Sequence, residues 1–325
     1  MERARLGRTD LEISRIAFGT WELGGEWGTV GADAAIDAIR RAWELGINVF
    51  DTAQGYGFGA SERLLATALR EPLDHVRSEV VVATKGGLRQ TPDGLVRDSS
   101  PLWLRLGVEQ SLVAMGIDHI DLYQVHWPDP RVPLADTAGA LLDLVDEGLI
   151  RHVGLSNFDV EQIAEFARGG AVETLQPPYH LFRQDAAKVL LPFCRQHDIG
   201  VLVYGALAHG LLSGALSETT MFAPDDWRRS NAMFQGEQFA TNLAVVRELQ
   251  TIAADLAISV SQLAVAWVLG NPAVDAAILG TRNARHITEI VAAAGVMLDV
   301  ETRARIDAAV THGVPVGGPA PESMP

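Results

Sequence analysis

Four residues with complementary chemistry lie at or just after apolar runs that have the composition of buried strands. Asp51 ends the run NVFD, Tyr56 follows five residues later, Lys85 ends VVVATK and His126 ends IDLYQVH. Taken singly, each is more often a turn cap or a solvated side chain than a catalytic group. The carboxyl ends of parallel strands in a barrel meet at one face, so we expect the four side chains to converge there.

Together these residue types suit proton transfer to a carbonyl oxygen. Free tyrosine has a pKa of about 10 and donates protons poorly at neutral pH, whereas an adjacent ammonium favours the phenolate. Asp51 would keep the Lys85 ammonium charged, and His126 can orient a carbonyl by hydrogen bonding. No nucleophile is evident, so the pattern suggests hydride addition to C=O or its reverse. The hydride must come from a cofactor, because no side chain supplies one.

Strand and helix patterns alternate through the chain. Strands are predicted at Ile16–Trp21, Asn48–Ala53, Val80–Gly86, Ile120–Trp127, His152–Asn157, Thr174–Tyr179, Gly200–Leu207 and Ala276–Thr281. Helical periodicity lies near 31–46, 61–70, 101–116, 134–148, 159–169, 185–198, 241–271 and 283–294. Eight such units predict an α/β fold, a closed (β/α)₈ TIM barrel. A doubly wound open sheet is the alternative, but it usually has fewer strands and a Gly-rich first turn.

Further segments extend the minimal barrel. Residues 3–6 and 11–14 predict a hairpin that plugs the barrel floor, and Ser61 stands where a helix N-cap is expected. An extra C-terminal helix is predicted near 299–312. We expect one domain over residues 1–312 and a flexible Pro/Gly-rich tail over 313–325.

Composition excludes several classes of protein. The chain has 325 residues, 48% of them hydrophobic, and a formal net charge of −15. This composition argues against disorder, and the charge argues against nucleic acid or an anionic membrane as the partner. A single cysteine, Cys194, excludes an intramolecular disulfide and a zinc site built from several thiolates. No signal segment or long apolar run is evident, so we expect a cytoplasmic protein with a small-molecule partner, and we allow for a homo-oligomer.

The segments FDTAQGYG, ATK, QVHW and GLSNF together resemble the aldo-keto reductases, which are NAD(P)H-dependent barrel enzymes. The resemblance extends from Leu6 to about residue 312. It implies that Asp51, Tyr56, Lys85 and His126 form the catalytic tetrad, with Tyr56 as the general acid. Residues 234–239 and Trp267 look like the bacterial sugar- or inositol-dehydrogenase-like branch, which is also close to potassium-channel β-subunits.

The cofactor is expected to lie across the barrel mouth. The start of a helix after Gly280, together with Arg282 and Arg285, suits phosphate and suggests NADPH/NADP⁺ rather than NAD. GFGASE at 57–62 is interpreted as a loop, because it ends in Glu and follows the second strand. The resemblance implies cofactor contacts by Thr20, Trp21, Ser156, Asn157, Gln176, Tyr204, Gly205, Ala206, Leu207, Gly210, Leu211, Gly280, Thr281, Arg282, His286 and Glu289. The chain departs from the family pattern at His180, Ala208, His209 and Ile290.

Aromatic residues near the tetrad are candidates for the substrate walls, namely Trp21, Phe58 and Trp127. They would suit a partly apolar carbonyl or the face of a sugar. Residues 215–240 are expected to form a lid that orders over the cofactor. Two alternatives remain: a redox-sensing partner subunit that binds NADPH and turns over slowly, and a metal-dependent sugar isomerase. The isomerase is disfavoured, because Lys85 would repel a cation and few inward carboxylates are available.

Overall fold

Eight parallel strands close into a barrel, which confirms the predicted fold class. The computed structural model describes residues 1, 3–25, 27 and 31–318. The strands are β1 (Arg3–Arg5), β2 (Glu12–Ser14), β3 (Ile16–Gly19), β4 (Val49–Asp51), β5 (Val81–Gly86), β6 (Leu88–Thr91), β7 (Gly94–Arg97), β8 (Ile120–Val125), β9 (Ile150–Ser156), β10 (Thr174–Gln176), β11 (Gly200–Val203) and β12 (Ala276–Gly280). The barrel order is β3-β4-β5-β8-β9-β10-β11-β12, and β12 pairs with β3 to complete the ring.

Helices surround the ring of strands. They are α1 (Ala32–Glu44), α2 (Ala60–Ala68), α3 (Arg70–His75), α4 (Pro101–Met115), α5 (Leu134–Asp146), α6 (Val160–Phe166), α7 (Leu190–Gln196), α8 (Gly236–Asp255), α9 (Val260–Leu269), α10 (Ala284–Ile290) and α11 (Val300–Val310). Pro101 begins α4, and Gly116, with a φ of +64°, ends it. Both positions match the usual preference for proline at helix starts and glycine after helix ends.

The first two strands form the predicted hairpin. Leu6 and Leu11, from its turn region, are buried with inward-facing strand residues such as Val49 and Leu122. Gly7 has a φ of +49°, and a Cβ there would lie 2.2 Å from the backbone nitrogen of Gly200. Only glycine allows this close approach to the start of β11, so the hairpin is seated against the amino-terminal end of the barrel.

One long predicted helix proved to be two. The periodicity over 241–271 covers α8 and α9, which meet at an angle of 85°. The Ser259 side chain accepts a hydrogen bond from the backbone of Gln262, whose own side chain accepts from the Ser259 backbone. This capping box starts a new helix, which hydrophobic periodicity alone does not show. Within the described residues no single helix is long and apolar enough to span a membrane, and only this bent pair together meets that test by length and composition.

One predicted helix start was wrong, and one hairpin was not predicted. Helix α2 is capped by Gly59, with a φ of +90°, whereas Ser61 lies inside the helix and donates to Thr20 Oγ1 at 2.7 Å. The β6–β7 hairpin was not predicted, although TPDG at 91–94 is a strong turn signal. Within the predicted tail, Val316 is 1% exposed and its N–H donates to the Phe182 carbonyl. Residues 319–325 of the predicted flexible tail lie outside the described residues.

Candidate active site

The four predicted catalytic residues meet at the carboxyl end of the barrel. Lys85 Nζ donates to both carboxylate oxygens of Asp51, at 2.5 and 2.8 Å, and to the Thr52 carbonyl at 2.9 Å. It lies 3.3 Å from the Tyr56 hydroxyl oxygen. The His126 ring packs edge-on against the Tyr56 ring at a centroid distance of 5.6 Å. A proton donor, a cation and an imidazole therefore share one small volume.

Strand register explains this convergence. Asp51 is the last residue of β4, and its Cα partner on β5 is Ala83, two residues before Lys85. Lys85 in turn pairs with Gln124 on β8, two residues before His126. Residues two apart on a strand point to the same face, so Lys85 and Asp51 both project into the barrel mouth.

Burial strongly affects the ion pair. Asp51 and Lys85 are 2% and 1% exposed. Burial raises the pKa of Asp51 and lowers the pKa of Lys85, while the attraction between the two groups acts against both changes. Gln176 donates from Nε2 to Asp51 at 3.0 Å and so satisfies a further lone pair of the carboxylate. The resulting network supports an ammonium next to Tyr56, because each charge has several direct partners.

His126 is held neutral. Burial, and then the charge of Lys85, lower the pKa of His126 well below its usual value. Its ring Nδ1 is buried and has no hydrogen-bond partner among the described residues. The backbone carbonyl of His126 accepts from the Asn157 amide at 3.0 Å, which fixes the position of the loop. A neutral imidazole can donate one hydrogen bond to an oxygen that enters the site.

A cavity of about 400 Å³ adjoins the tetrad. Asp51, Tyr56 and His126 line it at one end, and the helix after β12 lines it at the other. Predicted cofactor contacts that line it are Thr20, Trp21, Ser156, Asn157, Gln176, Tyr204, Gly205, Ala206, Leu207, Gly210, Gly280, Thr281, His286 and Glu289. The structure thus brings together, on one continuous surface, residues from several separate predicted segments.

Three predicted contacts lie elsewhere. Leu211 is fully buried and belongs to the core. Phe58 is 40% exposed, with a φ of +45°, and it does not line the cavity as the substrate prediction required. Arg282 does not line the cavity either. Its Nη1 donates to the Trp27 carbonyl at 3.1 Å. Of the predicted substrate walls, Trp21 and Trp127 line the cavity.

The polar wall beside the tetrad is already hydrogen-bonded internally. Tyr204 donates to Asn157 Oδ1 at 2.8 Å, and burial raises the pKa of Tyr204 to about 12. Asn157 has a φ of +65°, a left-handed conformation that asparagine tolerates better than most residues. Ser156 donates to the Gln176 carbonyl at 3.0 Å. A planar amide bound here would replace some of these internal hydrogen bonds with its own.

The end of the cavity that was predicted to bind phosphate offers fewer free backbone N–H groups than the sequence suggested. Helix α10 has only seven residues. Thr281 Oγ1 accepts from the backbone of Asn283, and Asn283 Oδ1 accepts from the backbone of Arg285. Within the first turn of α10, the Arg285 N–H therefore has a side-chain partner, and the His286 N–H donates to the Asn283 carbonyl.

Sequence reasoning missed several cavity residues. Glu22 and Trp27 line the cavity, and so do Ser259, Ser261 and Ile287. His209, together with Ala208, adopts a positive φ, a strained conformation that is often found at functional sites. In the sequence, His209 is marked only by its departure from the family pattern.

The segment predicted as a lid crosses near the mouth. Residues 227–230 and 232–234 form short 3₁₀ helices, and α8 begins at Gly236. Asp226 forms an isolated antiparallel bridge with Trp27, in the loop after β3. Arg228 lies 4.6 Å from the Trp27 ring centroid and donates to the His209 carbonyl. The segment is thus docked against the loop after β3.

No group of three or more His, Cys, Asp or Glu side chains in the described part of the chain is arranged to hold a metal ion.

Comparison with known proteins shows the family of this chain. The family model described as "Aldo/keto reductase family" matches residues 15–311. Aldo-keto reductase YhdN of Bacillus subtilis is 38% identical over 100% of this chain and 98% of its own. The NADH-specific methylglyoxal reductase of Escherichia coli is 34% identical over 92% of this chain and 95% of its own. The glycerol dehydrogenase AKR11B4 from Gluconobacter oxydans superposes with a TM-score of 0.87 at 36% identity, covering 98% of this chain and 97% of that one.

A closed α/β barrel with this mouth defines an oxidoreductase of the nicotinamide-dependent barrel class. The chain belongs to the aldo/keto reductase family.

Proposed function

We propose that the protein is an NADP(H)-dependent reductase of small aldehydes and ketones that also oxidises sugar-type or polyol alcohols. The observation that carries this proposal is the 3.3 Å contact between the Lys85 ammonium and the Tyr56 hydroxyl oxygen. Tyr56 serves as general acid in reduction and as general base in oxidation. Lys85, Asp51 and His126 complete the catalytic set.

In reduction, Tyr56 transfers its hydroxyl proton to the carbonyl oxygen of the substrate. The Lys85 ammonium stabilises the phenolate that remains, and Asp51 keeps the ammonium charged. His126, as a neutral donor, holds the carbonyl oxygen toward Tyr56. When bound, the reduced nicotinamide supplies the hydride that adds to the carbonyl carbon. Carbon gains the hydride and oxygen gains the proton, so the product is the alcohol.

The residues present fit a nicotinamide dinucleotide. The cavity runs without a break from His126 to the residues of α10, and Tyr204 provides an aromatic face beside Asn157. Ser156, Asn157 and Gln176 offer donors and acceptors for a carboxamide. We infer that Arg282 contributes to the 2′-phosphate contact and that Trp21 and Trp127 form substrate walls.

Two relatives suggest substrates to test. The names of these relatives specify methylglyoxal reduction in one and glycerol dehydrogenation in the other. Both compounds are small and polar, and both would place an oxygen on a carbon next to the reacting one. The cavity walls formed by Trp21, Trp127 and His126 are compatible with compounds of this size.

The decisive experiment measures oxidation of NADPH and NADH with methylglyoxal, simple aldehydes, ketones and aldoses, and reduction of NADP⁺ and NAD⁺ with glycerol. Tyr56→Phe should lower kcat by about 10²- to 10⁴-fold, the range for loss of a general acid. Dinucleotide affinity should stay within about twofold, since the substitution removes one oxygen. Most of the activity surviving in Tyr56→Phe, with the same substrate, would refute the assignment of the acid.

A further inference from the structure

Beside the cavity, the carboxylate of Glu22 lies close to Arg282, the arginine that was predicted to bind phosphate. Glu22 lies in the short 3₁₀ helix Trp21–Leu23, directly after β3. Its Oε2 is 4.0 Å from Arg282 Nε, and its Oε1 is 3.2 Å from the point where a Cβ on Gly280 would lie. Glu22 lines the cavity, whereas Arg282 does not. The two side chains are about a quarter and a third exposed.

Both partners of Arg282 line the cavity. The Trp27 carbonyl accepts from its Nη1 at 3.1 Å, and Glu22 attracts the same guanidinium from the cavity side. Both partners belong to the loop after β3. An anion at the end of β12 would have to compete with them for this side chain.

Arg228, another positive group nearby, is already engaged. Arg228 donates to both carboxylate oxygens of Asp226, at 3.0 and 2.6 Å, and to the His209 carbonyl. At the start of α10, the backbone N–H groups of Asn283 and Arg285 have side-chain partners. In a chain with a net charge of −15, recognition of a further phosphate dianion at this end falls on the few basic side chains after β12, among them Arg282 and Arg285.

Building on the proposed function, we propose that Glu22 is a specificity-determining residue that sets the preference between NADP(H) and NAD(H) by competing with the 2′-phosphate for Arg282. Other dinucleotide-binding proteins use the same two groups for this choice: a carboxylate favours the ribose 2′-hydroxyl of NAD, and an arginine accommodates the 2′-phosphate of NADP. Here the carboxylate acts through the arginine. It weakens binding of the phosphorylated dinucleotide selectively, because the 2′-phosphate is the group that needs Arg282.

The test is a double-mutant cycle on binding, read by quenching of intrinsic tryptophan fluorescence at pH 8 and low ionic strength. Dissociation constants for NADP⁺ and NAD⁺ are measured for wild type, Glu22→Gln, Arg282→Ala and the double variant. Glu22→Gln should tighten NADP⁺ by about tenfold, equivalent to about 1.4 kcal/mol. NAD⁺ affinity should change by less than about twofold. In the Arg282→Ala background, Glu22→Gln should no longer tighten NADP⁺.

Glu44→Gln is the matched control, since it makes the same change in charge at an exposed residue of α1 that pairs with Arg41. It should leave both dissociation constants unchanged. An unchanged ratio of NADP⁺ to NAD⁺ affinity in Glu22→Gln, or a tightening that persists without Arg282, overturns the role of Glu22 and leaves the proposed function standing. Failure of both dinucleotides to bind wild type overturns both proposals.

Discussion

The Asp51–Lys85 pair shows how one buried contact determines both chemistry and stability. Lys85 is 1% exposed, and its three hydrogen bonds to Asp51 and Thr52 compensate for the loss of hydration. An ammonium without these partners would release its proton, because burial lowers the pKa of Lys85. Asp51 is therefore required for the charge beside Tyr56.

Lys85→Met and Asp51→Asn should each destabilise the protein by about 3–5 kcal/mol, because each leaves an unpaired group in the interior. The double variant should lose clearly less stability than the sum of the two single losses, since neither charge remains. Urea unfolding followed by circular dichroism measures all three. Lys188→Met is the control: its pair with Asp185 is exposed, so the change should stay within about 0.5 kcal/mol. Additive losses in the double variant would contradict this account.

At the scale of residues, the sequence predicted where the site residues lie in the barrel better than it predicted the directions of their side chains. Asp51, Lys85 and His126 were found because strand register fixes where they emerge. Arg282 was correctly placed after β12, but its pairing with Glu22 depends on a short 3₁₀ helix that has no recognisable period. Phe58 was assigned to the substrate wall by its closeness to Tyr56 in sequence, yet its left-handed backbone turns it outward.

At the scale of elements, the amino-terminal hairpin is joined to the barrel floor by charged groups as well as by apolar packing. His152, on β9, contacts Asp10 through Nε2 and Glu173 through Nδ1, both at 2.8 Å. Burial alone would lower the pKa of His152, but the hydrogen bonds and charges of Glu173 and Asp10 outweigh it, and the pKa is raised. Protonated His152 therefore links the hairpin turn to β9.

This link should depend on pH. Because the folded-state pKa is raised, the contribution of His152 is fully present below its unfolded pKa of about 6.5 and is lost as pH rises through the folded value. His152→Gln should therefore cost roughly 1.5–3 kcal/mol at pH 5.5 and clearly less at pH 8.5. Thermal unfolding of both forms across this range measures it, and His75→Gln, at an exposed site, is the control. If the stability cost of His152→Gln grew with pH instead, the assignment of a protonated His152 in this contact would be wrong.

The eight barrel strands were all predicted because each is a short apolar run between helical patterns. Their ends were predicted too long, since residues such as Tyr204–Leu207 and Trp127 continue the apolar run but belong to the mouth loops. The break between α8 and α9 and the β6–β7 hairpin were missed, because both depend on hydrogen bonds of one or two polar side chains or on a tight turn. Local chemistry of this kind is visible in the sequence but carries no periodic signal.

At the scale of the whole molecule, one group reports on global unfolding. Cys194 on α7 is fully buried, and burial raises the pKa of its thiol to about 12. A thiol in this state is a poor nucleophile and is out of reach of a reagent. Its reactivity should therefore follow opening of the helix layer around the barrel.

Ellman's reagent should leave the native protein unlabelled over hours at pH 8 and should label one thiol per chain in concentrated urea. At intermediate urea the labelling rate should rise with the fraction unfolded. Circular dichroism recorded in parallel provides the comparison. Full labelling of a protein that keeps its native circular dichroism would show that α7 opens locally.

The chain's last described residues have a practical consequence for experiments. A Cβ on Gly318 would lie 3.1 Å from the His209 ring, at the mouth, whereas Met1 lies near Gly46, shortly before β4 begins. A purification tag fused after Pro325 would be tethered a few residues from the entrance to the cavity. One fused ahead of Met1 would be attached at the opposite end of the barrel, so kinetic and titration work is best done with the latter.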